Sequence, residues 1–192
     1  MLYRPSPCVH GIAARKLAHP LAPHAITADS RDGLRTRLTA TGVLKIHDLT
    51  EADKVINLAE VQLYYNGRQL CTSQASCEAA GLTFALSPGH YETFSVSQCF
   101  DGDTASGNYC HSYGADPSLT ISGISALDRV VVYNRRDGCG GGIRGCSHRI
   151  EGATITYTVG SNVMWESTFE GTGTGDLKTY DFTVTTGEHE ST

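Results

Sequence analysis

At 192 residues and 40% apolar content, the chain can bury a core, which excludes a polypeptide too polar to fold. Twenty acidic against fifteen basic residues leave a net charge of −5, which excludes the concentrated basic surface that nucleic acid requires. No apolar run approaches the roughly 18 residues of a transmembrane helix, and none is expected.

Composition leans to β structure: 21 glycines and 9 tyrosines accompany many Thr, Ser and Val, and no long stretch carries a helical apolar period. Residues 1–33 hold four of the six prolines and three of the eight histidines without periodicity, so an irregular or disordered segment is expected there. Arg15 and Lys16 interrupt what would be the apolar centre of a signal peptide, and none is recognised.

The domain is expected over residues 34–186, followed by a polar tail at 187–192. Leu38–Asp48 alternates as a strand, with Lys45 and His47 opposite in parity to Ile46. Leu49–Lys54 is the one fair helix candidate. Ile56–Tyr65 reads as a second strand, closed by an Asn66-Gly67 turn. Residues 68–82 read as loop, Thr83–Leu86 as a short strand and Ser87–His90 as a turn. Val130–Tyr133 is an unbroken run of β-formers, the mark of a buried strand, and it ends abruptly in Asn134, Arg135, Arg136 and Asp137. Ala153–Val159 alternates cleanly, Asn162–Phe169 reads as its hairpin partner, and Thr179–Thr185 is the last strand. Many short strands with Gly, Asp and Asn between them predict an all-β sandwich or jelly roll.

Six of the seven cysteines fall in near pairs: Cys71 with Cys77, Cys99 with Cys110, and Cys139 with Cys146. Disulfides are expected, which points to an extracellular or secreted protein; buried free thiols and a zinc set of Cys139, Cys146 and His148 are the alternatives.

The residues INLAEVQLY, CFDGD, YCHS, DPSLTI, RVVVYNRRD and RIEGATITYT together resemble the coagulation-factor type C (discoidin) group, most closely its fucose-binding F-type lectin branch. The resemblance covers residues 38–185. It implies a galactose-binding-like jelly roll with a ligand pocket on loops at one end. The LAEVQ strand usually ends such domains, whereas Glu60 here precedes the other motifs, which implies a circular permutation or a junction between two domains.

In that family a histidine, an arginine followed by Gly-Asp-Cys-Cys, and a second arginine hold the sugar. The resemblance places these roles on His111, on Arg135 two dozen positions later, and on Arg149, with Tyr109 or Tyr113 covering the apolar sugar face. The paired cysteines are broken here to Gly138-Cys139, and residues 140–147 separate the two arginines, so the resemblance does not carry the identity of the sugar. It also implies a structural calcium ion held by Asp101, Asp103, Gln98 (through a carbonyl), Asn108 and Glu60. The plain reading of Asp101-Gly102-Asp103 is a tight turn, and that of Arg135 and Arg149 is pairing with Asp137 and Glu151.

No nucleophile elbow, zinc-protease helix or phosphate-cradling loop occurs, and nothing marks Asp116 and Asp137 as a glycosidase pair, so no enzyme is expected. The expected partners are glycans or glycoproteins, for a sugar such as fucose or galactose. A possible homo-oligomer or a larger multidomain parent would supply multivalency. The competing reading is a non-catalytic adhesion domain that binds protein or phospholipid, with Ile143 and Arg144 as its loop-tip residues.

Overall fold

The computed structural model describes residues 40–49, 55–112, 114–137, 146–173 and 178–185. The chain divides into two units at Arg37/Leu38, and every described residue belongs to the second. The expectations for residues 1–33 and for the tail at 187–192 lie outside the described residues, as do Cys139, Tyr113 and the 140–145 stretch with Ile143 and Arg144.

Among the described residues, ten strands form two antiparallel sheets. They are β1 (Gly42–His47), β2 (Asn57–Tyr65), β3 (Arg68–Gln69), β4 (Thr83–Ser87), β5 (Cys110–His111), β6 (Ser118–Ile124), β7 (Arg129–Asn134), β8 (Thr154–Val159), β9 (Asn162–Thr168) and β10 (Thr179–Thr183). One sheet runs β4-β6-β1-β8-β9 and the other β10-β7-β2-β3, with β5 paired to the start of β2. The predicted all-β sandwich is therefore the fold.

Period-two patterning explains which faces meet. In β1, Leu44 and Ile46 are buried while Lys45 is exposed and His47 half-buried. Leu44 stands opposite Ile121 and Tyr157, and Ile46 opposite Leu119 and Ile155, so one face of this sheet is a continuous apolar layer. Val61, Leu63, Val130 and Val132 supply the facing layer from the other sheet. Phe169 is fully buried and meets Tyr180 and Phe182 edge-on, with ring centroids 4.8 and 5.2 Å away. Gly42 is required by close packing: a Cβ there would lie 2.3 Å from the Tyr157 ring.

Two irregularities matter later. A register shift in β2 between Leu58 and Glu60 lets Leu58 and Val61 both join the core, although strict alternation would separate them. A second shift, between Tyr157 and Thr158 of β8, places an extra residue, Met164, in the exposed edge strand β9.

The helix expected at Leu49–Lys54 is not formed at Leu49, and residues 50–54 lie outside the described set. A helix, α1 (Gln74–Ala79), forms instead where a loop was expected. A reciprocal capping box between Ser73 and Ser76 starts it, and the Cys71–Cys77 disulfide ties it to the preceding chain. With Cys77 as its only buried residue, it has no apolar stripe by which sequence could announce it. β6 was likewise unforeseen as a strand, yet it lies between β1 and β4 in the sheet.

The second predicted disulfide, Cys99–Cys110, is also present. Cys146 is disulfide-bonded, which removes it from the alternative zinc set.

Replacing Phe169 with alanine opens a cavity beside the Tyr180 and Phe182 rings and is expected to cost about 3–5 kcal/mol. Urea unfolding monitored by tryptophan emission checks this; a midpoint within error of wild type contradicts it.

Candidate functional site

The starts of β2 and β8, the end of β7 and the short β5 reach the same rim. Asn57, the first residue of β2, stands opposite His111 in β5, and Leu58 stands opposite both Cys110 and Asn134. Asn134 closes β7 and is buried. Its amide nitrogen donates to the carbonyls of Ser147 (2.7 Å) and Thr172 (3.2 Å), and its oxygen accepts from the Arg135 backbone N–H (2.9 Å). One side chain therefore fixes the direction in which Arg135 leaves the strand.

Arg135 is only 8% exposed. Its Nε and Nη2 form a bidentate pair with Asp137, the second contact at 2.9 Å. Its Cζ lies 3.5 Å from the centroid of the Tyr109 ring, which supports the guanidinium from below. Arg135 Nη1 and Arg149 Nη1 approach the same end of the Asn57 amide, at 3.0 and 3.2 Å, so that amide presents its oxygen and accepts from both. The two arginines separated by the 140–147 stretch thus meet on one buried acceptor.

His111 joins them. Burial lowers its pKa from the ordinary 6.5, and the positive charges of Arg149 and Arg135 lower it further against a smaller opposite pull from Glu92. Near neutral pH the ring is uncharged, with one N–H donor and one acceptor nitrogen. Its aromatic neighbours are Tyr91 at 5.1 Å, Tyr109 at 6.2 Å and Phe94 at 6.3 Å between centroids.

The site therefore gathers His111, Arg135 and Arg149, but redistributes the aromatic role. Tyr109 is buried, stacked on Phe94 at 4.5 Å and committed to Arg135. The aromatic surface left open beside His111 belongs to Tyr91, 42% exposed. Tyr91, Asn57 and Asn134 were missed from sequence. Two buried asparagines at the same end of the β2–β7 pairing are a signal only once the strands are aligned. The plain pairing of Arg135 with Asp137 exists alongside the convergence. Glu151 pairs with His148 Nδ1 at 3.0 Å.

The expected calcium ligands also fall together. Glu60, turned away from the core by the β2 bulge, is 1% exposed and accepts from the Gly102 N–H at 3.2 Å. The Asn108 amide nitrogen sits among Asp101 Oδ1 (3.1 Å), Asp101 Oδ2 (3.0 Å) and the Asp103 carbonyl (2.9 Å). Gln98 donates from Nε2 to Asn108 Oδ1 at 3.3 Å, which leaves Gln98 Oε1 buried without a partner. Burial pushes the Glu60 carboxyl up to about 8, and the negative charges of Asp101 and Asp103 add to the rise.

The donor set suits a hard cation: carboxylate, amide and carbonyl oxygens surround a point where an amide N–H now makes three contacts. An orphaned buried oxygen and a buried carboxyl beside two more acids are what such an ion would satisfy. Among the described residues, no three His, Cys, Asp or Glu side chains stand ready as a metal set, so the cage depends on amide and main-chain oxygens as well. Arg136 Nη2 donates to the Thr104 carbonyl and ties the arginine loop to this turn.

In an NMR titration His111 should protonate below pH 6.5, and Arg149→Ala should raise its pKa. A lowered folded-state pKa means that its contribution to stability is complete above about pH 6.5 and is lost as pH falls through the folded value. A His111 pKa at or above 6.5 would contradict the electrostatic account.

No protein-family model, no curated protein and no solved structure matches this chain, so the site stands on its own geometry.

Proposed function

We propose that this domain is a non-catalytic, calcium-stabilised carbohydrate-binding module that recognises a sugar such as fucose or galactose on glycans or glycoproteins outside the cell. The observation that carries the reading is the convergence of Arg135 and Arg149 on Asn57 beside His111 and the open Tyr91 ring. Among the described residues, three of the five N–H groups of Arg135 are engaged, so its fixed guanidinium still has donors to offer.

A neutral sugar needs such donors. Its ring oxygen and hydroxyls accept, its own O–H groups donate, and its apolar face stacks on an aromatic ring. The guanidinium groups donate, the neutral imidazole donates and accepts, and Tyr91 supplies the ring. These groups are held by buried partners, so little side-chain entropy remains to be lost on binding. At about 0.5–1.5 kcal/mol net per neutral hydrogen bond, one sugar should bind in the micromolar range or more weakly, and avidity must come from multivalency.

The calcium ion would be held by Asp101, Asp103, Asn108, Gln98 and Glu60, and its part is to hold the turn at 101–103. The Cys99–Cys110 disulfide connects that turn to β5, so order there is order at His111. The disulfides agree with an extracellular setting. No helix among the described residues is long and apolar enough to cross a membrane.

A glycan array with and without chelator tests the binding. Signal on fucosylated or galactosylated glycans, abolished by Arg135→Ala, supports the module. A flat array combined with capture of a protein partner or lipid vesicles would replace it with the adhesion reading.

Thermal unfolding tests the ion separately. Calcium at a hundredfold excess over its Kd should stabilise the wild type by about 2.7 kcal/mol, and Glu60→Gln should remove most of that gain. A melting temperature unmoved by calcium would sink the ion's role.

A further inference from the structure

A polar cavity of about 190 Å³ opens beside the 114–118 segment, lined by Lys45, His47, Asp48, Asp116, Pro117 and Ser118 together with Leu49. It lies at the same end of the sandwich as His111. β1 ends at His47, β6 begins at Ser118, and Ser118 follows β5 by a short stretch of rim. Asp116 is five positions beyond His111, which caps the separation of their Cα atoms at roughly 18 Å.

The chemistry of this cavity is set in place. His47 has both ring nitrogens engaged, Nδ1 with Asp48 Oδ2 at 2.7 Å and Nε2 with Thr156 Oγ1 at 3.2 Å. The imidazole therefore positions Asp48 and has no nitrogen left for a ligand, while the second Asp48 oxygen remains available. Asp48 and Asp116 both adopt left-handed backbone (φ 54° and 50°), which asparagine or glycine would adopt with less strain. Lys45 and Asp116 face the same cavity with opposite charge, and among the described residues neither is paired with the other or with any other ionic side chain.

We infer that this cavity is a second saccharide subsite, taking a neutral or amino sugar linked to the one held at His111, so that the domain reads an oligosaccharide. The inference rests on the carbohydrate reading of the His111 site. Asp48 and Asp116 accept from sugar hydroxyls or an ammonium group, Lys45 and the Ser118 hydroxyl donate, and Pro117 with Leu49 forms the apolar wall. Two carboxylates against one ammonium repel an acidic sugar.

Calorimetry on the calcium-loaded full chain with L-fucose, D-galactose and a fucosylated lactose trisaccharide tests this. The trisaccharide should bind about tenfold more tightly than the better monosaccharide, the equivalent of one or two hydrogen bonds. The exposed double substitution Lys45→Ala/Asp116→Asn should erase that advantage while monosaccharide affinity stays unchanged and the melting temperature does not fall. Amide resonances of Lys45 and Ser118 should move with the trisaccharide and not with the monosaccharide. Monosaccharide binding with no trisaccharide advantage, or an advantage that survives the double substitution, overturns the subsite alone. Absence of any monosaccharide binding overturns the His111 reading and the subsite with it.

Discussion

Two guanidinium groups sharing one amide oxygen is the arrangement on which the rim depends. With Arg135 Nη1 and Arg149 Nη1 at 3.0 and 3.2 Å from Asn57, the two nitrogens are at most about 6 Å apart. At an effective dielectric near 20, like charges at that separation repel by about 3 kcal/mol. The opposing contributions are visible: the Asp137 carboxylate, the face of Tyr109 and the buried Asn57 dipole. Burial first, and this concentration of positive charge after it, lowers the pKa of the His111 imidazole. The cationic character of the site is thus a property of the group, and no member can change without altering the others.

The scaffold concentrates its irregular features behind that group. The β2 bulge sets the buried Glu60 carboxyl against the 101–103 turn while keeping Leu58 and Val61 in the core. The Cys99–Cys110 disulfide joins that turn to the strand bearing His111, and Arg136 reaches from the arginine loop to Thr104. Acidic turn and cationic rim therefore sit on opposite sides of one cross-linked segment.

Much of this was legible in the residues. Alternation in β1 and β8, and the unbroken apolar run of β7, announced strands because each buries one or both faces against its neighbours. The two short-range disulfides were expected from the near pairing of the cysteines, with free thiols left as an alternative that the bonds remove. What escaped notice depends on tertiary contact. Parity in β2 placed Leu58 and Glu60 on the same face, and only the bulge separates them. Helix α1 owes its existence to a serine cap and a disulfide, neither of which produces an apolar period. Asn57 and Asn134 read as ordinary polar residues until the β2–β7 register brings them to one rim, and Tyr109 could be assigned to the arginine, and Tyr91 to the open face, only from the packing.

The extra residue in β9 has a consequence for assembly. Strand β9 is the outer margin of its sheet, and its main-chain groups could in principle template another copy of the chain. Met164 breaks the regular spacing of those groups, and the exposed Glu166 sets a negative charge along the same border. Runaway ribbon growth along this margin is thereby discouraged, which leaves side-chain surfaces as the means by which two copies could meet there.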